Sequence, residues 1–229
     1  MISFNNIGNL GRLANQMFQY ASLKGIARNR GFDFTIPPEQ VFGQNDPLVK
    51  NSQLNIYNVF ENISKNKIEI VRNPMLQERM HEFDEELFRS CPDNVDLFGY
   101  YQSPKYFNHI EDVIRKDFTF KDEILEPCQG FIKEYGDNII FLHVRRSDST
   151  GRSEYFPIAD ARYFEEMLEH FPKDTPVLIL TDKMDWVKSQ KLFEQDRFLL
   201  QEHREYSDNL VWNGRGKMEY TLSPWIDLC

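Results

Sequence analysis

Two runs of residues in this sequence have types and spacing suited to chemistry. The first is His143-Val144-Arg145-Arg146-Ser147-Asp148, which continues the apolar stretch Ile139-Ile140-Phe141-Leu142. Adjacent arginines at the end of a buried strand have their directions set by that strand. Alternation sends successive side chains to opposite sides, so one guanidinium can enter a cleft while the other braces it. Guanidinium forks match phosphate oxygens two at a time and stay charged at any physiological pH, which suits a diphosphate. Asp148 could hold an arginine in its productive rotamer or bind a ligand hydroxyl, and a structural Arg–Asp ion pair at a domain edge accounts for the same residues. His143 reads either as a hydrogen-bonded core histidine or, near the carboxyl end of the strand, as a ligand contact.

The second run is Gly11-Arg12-Leu13-Ala14-Asn15-Gln16. A glycine turn that opens a helix offers free N–H groups and the positive dipole end to an anion, and Asn15 and Gln16 add amide donors in the first turn. The spacing is neither GxGxxG nor GxxxxGK[ST], and glycine turns before helices are usually just caps, so the residues alone are weak evidence of an anion site.

These runs need elements to hold them. Ile2-Ser3-Phe4 reads as a short strand, and Gly8-Asn9-Leu10-Gly11 as a turn. Leu13, Met17, Tyr20, Leu23 and Ala27 then recur at helical spacing. That helix should end near Arg28-Asn29-Arg30-Gly31, where cations suit the negative dipole end and Gly31 takes a left-handed cap. Asp33 to Ile36 reads as a strand stopped by Pro37-Pro38, whereas residues 37–80 carry no pattern that supports an assignment. Val95 to Tyr100 resembles a strand, Pro104 opens a short helix, and Asp122 to Tyr135 is a helix ending at Gly136. That glycine is the candidate boundary between an N-terminal α/β domain, residues 1–136, and a C-terminal Rossmann-like domain, residues 137–229. In the latter, Ile139 to Val144 is expected as a central parallel strand covered on both faces. An amphipathic helix over Ile158 to Phe171, a buried strand over Pro176 to Thr181 and a helix over Met184 to Phe193 follow. Ligands of such a sheet bind beyond the carboxyl ends of its strands, where Arg145, Arg146 and Asp148 follow one strand and Asp182 the next.

Composition bounds the function. A chain of 229 residues can bury a sizeable core, and a formal charge of -9 weighs against general binding of nucleic acid. It does not exclude a small anion, which needs only a local cluster of donors. Cys91, Cys128 and Cys229 lie far apart without CxxC spacing, which argues against a disulfide framework or a zinc site. No stretch is apolar over the roughly 18 residues a membrane helix needs, and the first residues do not read as a secretion signal. The chain is therefore expected to be cytoplasmic, with the sequon Asn62-Ile63-Ser64 unused. The acidic run from Glu82 to Glu86 reads as a solvated face.

Three stretches in order carry a resemblance: Gly11-Arg12-Leu13-Ala14-Asn15-Gln16-Met17-Phe18-Gln19-Tyr20, then Gly99-Tyr100-Tyr101-Gln102-Ser103-Pro104-Lys105-Tyr106-Phe107, then His143 to Asp148. With Phe156-Pro157, Tyr163-Phe164, Leu180-Thr181-Asp182 and Trp186-Val187, they make the chain similar to glycosyltransferase family 11, the α-1,2-fucosyltransferases. The HxRRxD pattern is shared with α-1,6- and protein O-fucosyltransferases, and the longer opening motif favours family 11. The resemblance implies a GT-B-like α/β fold of two Rossmann-like domains with parallel sheets, the first on the acceptor side and the second on the donor side. It implies GDP-β-L-fucose as donor, a galactose-containing glycan as acceptor, inversion of the anomeric centre, and neither metal nor cofactor. Carried over by motif, Arg145, Asp148 and Asn15 would be catalytic. Gly11, Arg12, Gln16, His143, Arg146 and Asp182 would bind the donor, with Arg145 at the β-phosphate and His143 helping to fix the donor. Family chains continue into a serine-rich segment ending in tandem tryptophans, whereas this sequence ends at Pro224-Trp225-Ile226-Asp227-Leu228-Cys229. The expectation is an incomplete second domain. Besides fucosyl transfer, a domain that holds GDP or a glycan without turnover, and an unrelated α/β interaction domain, stay open.

Overall fold

The computed structural model describes residues 1–42, 55–135, 138–146, 158–181 and 183–200. They fall into two compact units, residues 1–124 and 125–200.

The first unit opens with β1 (Ile2–Ser3), a loop in which Gly8 and Gly11 both have φ +83°, and α1 (Leu13–Arg30). The helix ends as its sequence dictates: Gly31 takes the left-handed conformation at φ +69°, and the Phe32 N–H closes on the Ala27 carbonyl at 2.9 Å. Unlike a surface helix, α1 is buried on most sides, from Tyr20 to Leu23 and again from Gly25 to Ala27. Gly25 makes this possible at its closest contact, because a Cβ there would lie 2.1 Å from the Tyr106 carbonyl oxygen.

β2 (Phe34–Thr35), α2 (Ile56–Val59), β3 (Met75–Gln77), α3 (Glu85–Ser90), β4 (Asp96–Phe98) and α4 (Glu111–Asp117) complete the unit. The short helices are capped from the side chain: Asn55 accepts the N–H groups of Tyr57 and Asn58, and Asp84 that of Leu87. The sheet runs β2-β1-β4-β3, all parallel, with Ile2 opposite Phe34, Ser3 opposite Asp96 and Leu76 opposite Leu97. β3 lies in the region whose pattern supported no assignment. It is an edge strand of three residues, with Met75 63% exposed, so it carries no apolar alternation to read.

Phe4, Tyr20, Phe60, Leu97, Tyr101 and Tyr106 are fully buried or nearly so and form the centre of this core. The Tyr20 hydroxyl donates to Asp117 Oδ2 at 2.7 Å, and Lys24 pairs with the same carboxylate. Burial, and next the Asp117 charge, push the Tyr20 phenol well above its ordinary pKa, so it remains a donor.

α5 (Asp122–Tyr135) contains the division between the units. The second unit then follows as β5 (Ile140–Val144), α6 (Ala161–Leu168), β6 (Val177–Thr181), α7 (Met184–Lys188) and β7 (Phe198–Leu200). The order is β5-β6-β7, again parallel, with Ile140 opposite Val177 and Val177 opposite Phe198. The expected α/β class, with Rossmann-like parallel sheets in both units, is what the chain adopts. α6 starts later than its apolar pattern, at Ala161, because Asp160 caps it, accepting the Tyr163 N–H at 2.9 Å.

One expectation is corrected. β5 was expected to be central and covered on both faces, but it lies at an edge of the described sheet, and the covered central strand is β6. Ile140, Leu142 and Val144 face the cluster made with Val177, Ile179, Phe164, Leu168 and Val187. Phe141, 48% exposed, and the exposed His143 face the other way. A short apolar run reads alike whether one face or two are covered, because its composition does not encode sheet order. Among the described residues no helix is long and apolar enough to cross a membrane.

Candidate functional site

In the first sheet the chain leaves β1 towards β2 on one side, while β4 pairs on the other. The sheet order reverses between β1 and β4, which is where open parallel sheets bind ligands. Beyond these carboxyl ends lie two loops, Phe4 to Arg12 and Gly99 to Ser103. Asp96 Oδ1 ties the exit of β1 to β4, accepting from the Ser3 hydroxyl at 2.7 Å and the Asn5 N–H at 2.8 Å. Gln19 Nε2 joins the loops themselves, donating to the Leu10 carbonyl at 3.0 Å and the Gly99 carbonyl at 2.9 Å.

Asn15 lies across Gly11: a Cβ at Gly11 would sit 2.1 Å from Asn15 Nδ2. The Asn15 Oδ1 accepts from Gln102 Nε2 at 2.6 Å, which leaves the Nδ2 donors as the group it offers. Arg12, the N-cap of α1, is exposed and makes no capping bond, and the first turn carries no acidic residue. Among the described residues no side chain caps the positive end of the α1 dipole, the end that favours an anion. Gln16 differs from its neighbours. It is fully buried, its Oε1 accepts the Ile56 N–H at 3.2 Å, and its Nε2 meets no partner among the described residues. Its amide thus lies inside the unit, whereas it was expected among the donor contacts with Arg12 and Asn15.

In the second unit the alternation read from the sequence holds past the strand. Arg146 follows Val144 to the packed face, where its guanidinium carbon stands 3.9 Å from the centre of the Trp186 ring and its Nη1 donates to the Ala159 carbonyl at 2.9 Å. Arg145 is exposed, as is His143 two residues before it, on the other side of the strand. Thr181 closes the neighbouring strand end, donating from Oγ1 to the Val144 carbonyl at 2.8 Å and accepting the Lys183 N–H at 3.0 Å. Asp148 and Asp182 lie outside the described residues, as do Phe156-Pro157 and everything after Leu200.

The structure therefore groups Gly11, Arg12 and Asn15 in one unit and His143, Arg145 and Arg146 in the other. It adds Gln102, Gln19 and Glu78, whose carboxylate accepts the Tyr100 and Tyr101 N–H groups, and none of the three was expected at the site. Gln102 and Gln19 fall within quoted motif stretches, but their contacts span 87 and 80 positions and leave no local pattern. Glu78 had no signal at all.

Parallel sheets flanked by helices in both units make this a Rossmann-like α/β protein. A family model, Glycosyl transferase family 11, matches residues 1–200, and the chain belongs to that family of fucosyltransferases. It is 27% identical over 198 residues to Galactoside alpha-(1,2)-fucosyltransferase 2 of Sus scrofa, covering 80% of this chain and 54% of that protein. It is 28% identical over 194 residues to Galactoside 2-alpha-L-fucosyltransferase Sec1 of Mus musculus, covering 78% and 49%. The chain spans about half the length of these curated relatives. In fold it is similar to the crystal structure of NodZ alpha-1,6-fucosyltransferase soaked with GDP-fucose, with a TM-score of 0.53 at 15% identity over 89% of this chain and 77% of that one. Fucosyltransferase NodZ from Bradyrhizobium gives a TM-score of 0.52 at 14% identity, covering 87% and 77%.

Proposed function

We propose that this chain transfers L-fucose from GDP-β-L-fucose to the 2-hydroxyl of a galactoside, forming an α-1,2 linkage with inversion and without a metal ion or other cofactor. The observation that carries the reading is that the two arginines leave the strand end on opposite faces. Arg146 stacks on the Trp186 ring and donates to the Ala159 carbonyl, and Arg145 stands on the opposite, exposed side of the strand end. A guanidinium so placed suits the bond-breaking step. As the bond from the fucose anomeric carbon to the β-phosphate oxygen lengthens, negative charge accumulates on departing GDP, and a cation already in position stabilises that charge more than the ground state.

In this scheme the acceptor hydroxyl attacks the anomeric carbon from the face opposite GDP and gives up its proton to a base. His143 holds the nucleotide with Asp182, Asp148 fixes the arginines, and Arg12 and Asn15 present donors to a phosphate or sugar oxygen. Gln16 ties the first turn of α1 to the start of α2 from inside, through the Ile56 N–H. The family membership and the galactoside-specific relatives at 27 and 28% identity favour the galactoside and the 2-position.

The test is incubation of the full chain with labelled GDP-fucose and a panel of β-galactosides, alongside Arg145→Ala. Expected is labelled product that the variant loses by about 100-fold or more. GDP binding that falls on Arg145→Ala without product would favour a binding role instead. Absence of both transfer and calorimetric GDP binding would overturn both readings.

A further inference from the structure

We infer that Glu78, just past the carboxyl end of β3, is a positioning residue for the Asn15 amide and acts through the turn Gly99 to Gln102. The inference rests on reading the Gly11–Asn15 turn as a ligand-facing part of a fucosyl-transfer site.

The Glu78 carboxylate receives two successive backbone N–H groups, that of Tyr100 on Oε2 at 2.7 Å and that of Tyr101 on Oε1 at 2.8 Å. The backbone it holds there is one that side chains avoid: Gly99 has φ +148°, and Tyr101, fully buried, has φ +50°. Gly99 also gives the glutamate room, because a Cβ at that position would lie 2.4 Å from Glu78 Cβ. The Glu78 N–H is itself fixed to the Phe98 carbonyl at 2.7 Å. From the opposite side, α1 grips the same turn. Gln19 donates to the Gly99 carbonyl at 2.9 Å and Ser22 to the Tyr101 carbonyl at 3.0 Å.

What emerges from this clamp is Gln102, an exposed residue whose Nε2 donates to Asn15 Oδ1 at 2.6 Å. That bond occupies the Asn15 carbonyl oxygen and leaves Nδ2 over Gly11, so the turn offers donors rather than a mixture of donor and acceptor. Donors are what a phosphate or sugar oxygen requires. Glu78 touches no part of that surface. It sets the sign of the surface by holding a strained turn in the shape in which Gln102 reaches Asn15.

Glutamine at position 78 has nearly the same size, yet its NH2 would face one of the two backbone N–H groups, donor against donor. Glu78→Gln and Gln102→Ala are each made in the full chain and in Asn15→Ala. Expected is a loss in kcat/KM for fucosyl transfer of about tenfold from either change alone, shrinking to about twofold or less once Asn15 is alanine. The drop in Tm stays the same in both backgrounds. An equal loss of transfer in both backgrounds, or none in either, overturns the inference.

A second readout does not depend on turnover. The Asn15 side-chain NH2 pair in the 15N NMR spectrum, assigned by its absence in Asn15→Ala, should move in Glu78→Gln, and also in Glu78→Asp, which keeps the charge but shortens the reach. A pair that stays in place overturns the positioning role even if the protein transfers fucose. A pair that moves in a protein without transferase activity keeps the positioning role and removes the transferase reading.

Discussion

Gly11 and Gly31 offer a matched pair of perturbations, because both have positive φ, +83° and +69°, but different surroundings. A Cβ at Gly31 would meet nothing within 4 Å, so Gly31→Ala costs only the left-handed backbone, about 1 kcal/mol, or a fall in Tm of about 2–4 °C for a chain this size. Gly11→Ala carries the same backbone cost and adds a collision, since the new Cβ would lie 2.1 Å from Asn15 Nδ2. Restoring an ordinary contact of about 3.5 Å requires the Asn15 amide to retreat by more than about 1 Å. Such a retreat breaks the 2.6 Å bond from Gln102. Misplacing a ligand-facing group by about 1 Å can cost on the order of 100-fold in rate. Thermal melts and the rate of labelled fucose transfer, measured on both variants, separate the two effects. Gly31→Ala should melt early and transfer normally; Gly11→Ala should melt earlier and transfer about 100-fold more slowly. Equal transfer by the two variants would refute the argument that Gly11 is glycine to make room for Asn15.

The buried Asp84 is opposed by its burial, but the N–H of Leu87 and the Arg79 guanidinium outweigh that and hold its carboxyl below the ordinary range. A depressed folded pKa stabilises above the unfolded value near pH 4 and is lost as pH falls through the lower folded value. Asp84→Ala should therefore cost about 1 kcal/mol from the lost helix cap at pH 7 and flatten the loss of stability below about pH 4, and urea melts at both pH values that shift in parallel would contradict this. Arg146→Lys gives up the planar stack at 3.9 Å from the Trp186 ring and the Nη1 bond to the Ala159 carbonyl, so the second unit should lose about 0.5–1 kcal/mol in urea melts and the Trp186 emission should change. Unchanged emission would show that the stack is absent in solution. Cys91, 1% exposed, has its thiol pushed up to about 11 by burial. At pH 8 its peptide should react with iodoacetamide about 100-fold more slowly in the folded protein than in urea, and comparable rates would refute its burial.

Local chemistry in the sequence determined the span of α1 and its left-handed stop at Gly31, the β-α-β-α order of the second unit, and the opposite directions of Arg145 and Arg146. These follow from caps, helical periodicity and strand alternation, whose causes lie within a few residues of their effects. Tertiary structure decided which strand was central. It put β6 there and left β5 at the edge of the described sheet, since sheet order depends on pairing between distant segments. It also decided that Gln16 turns inward while Asn15 faces out, although both are first-turn amides. The bonds from Gln102 to Asn15, across 87 positions, and from the Tyr100 N–H to Glu78, across 22, are decided there too. No periodicity encodes such contacts, because they exist only once the parallel sheet has brought the carboxyl ends of β1, β3 and β4 side by side.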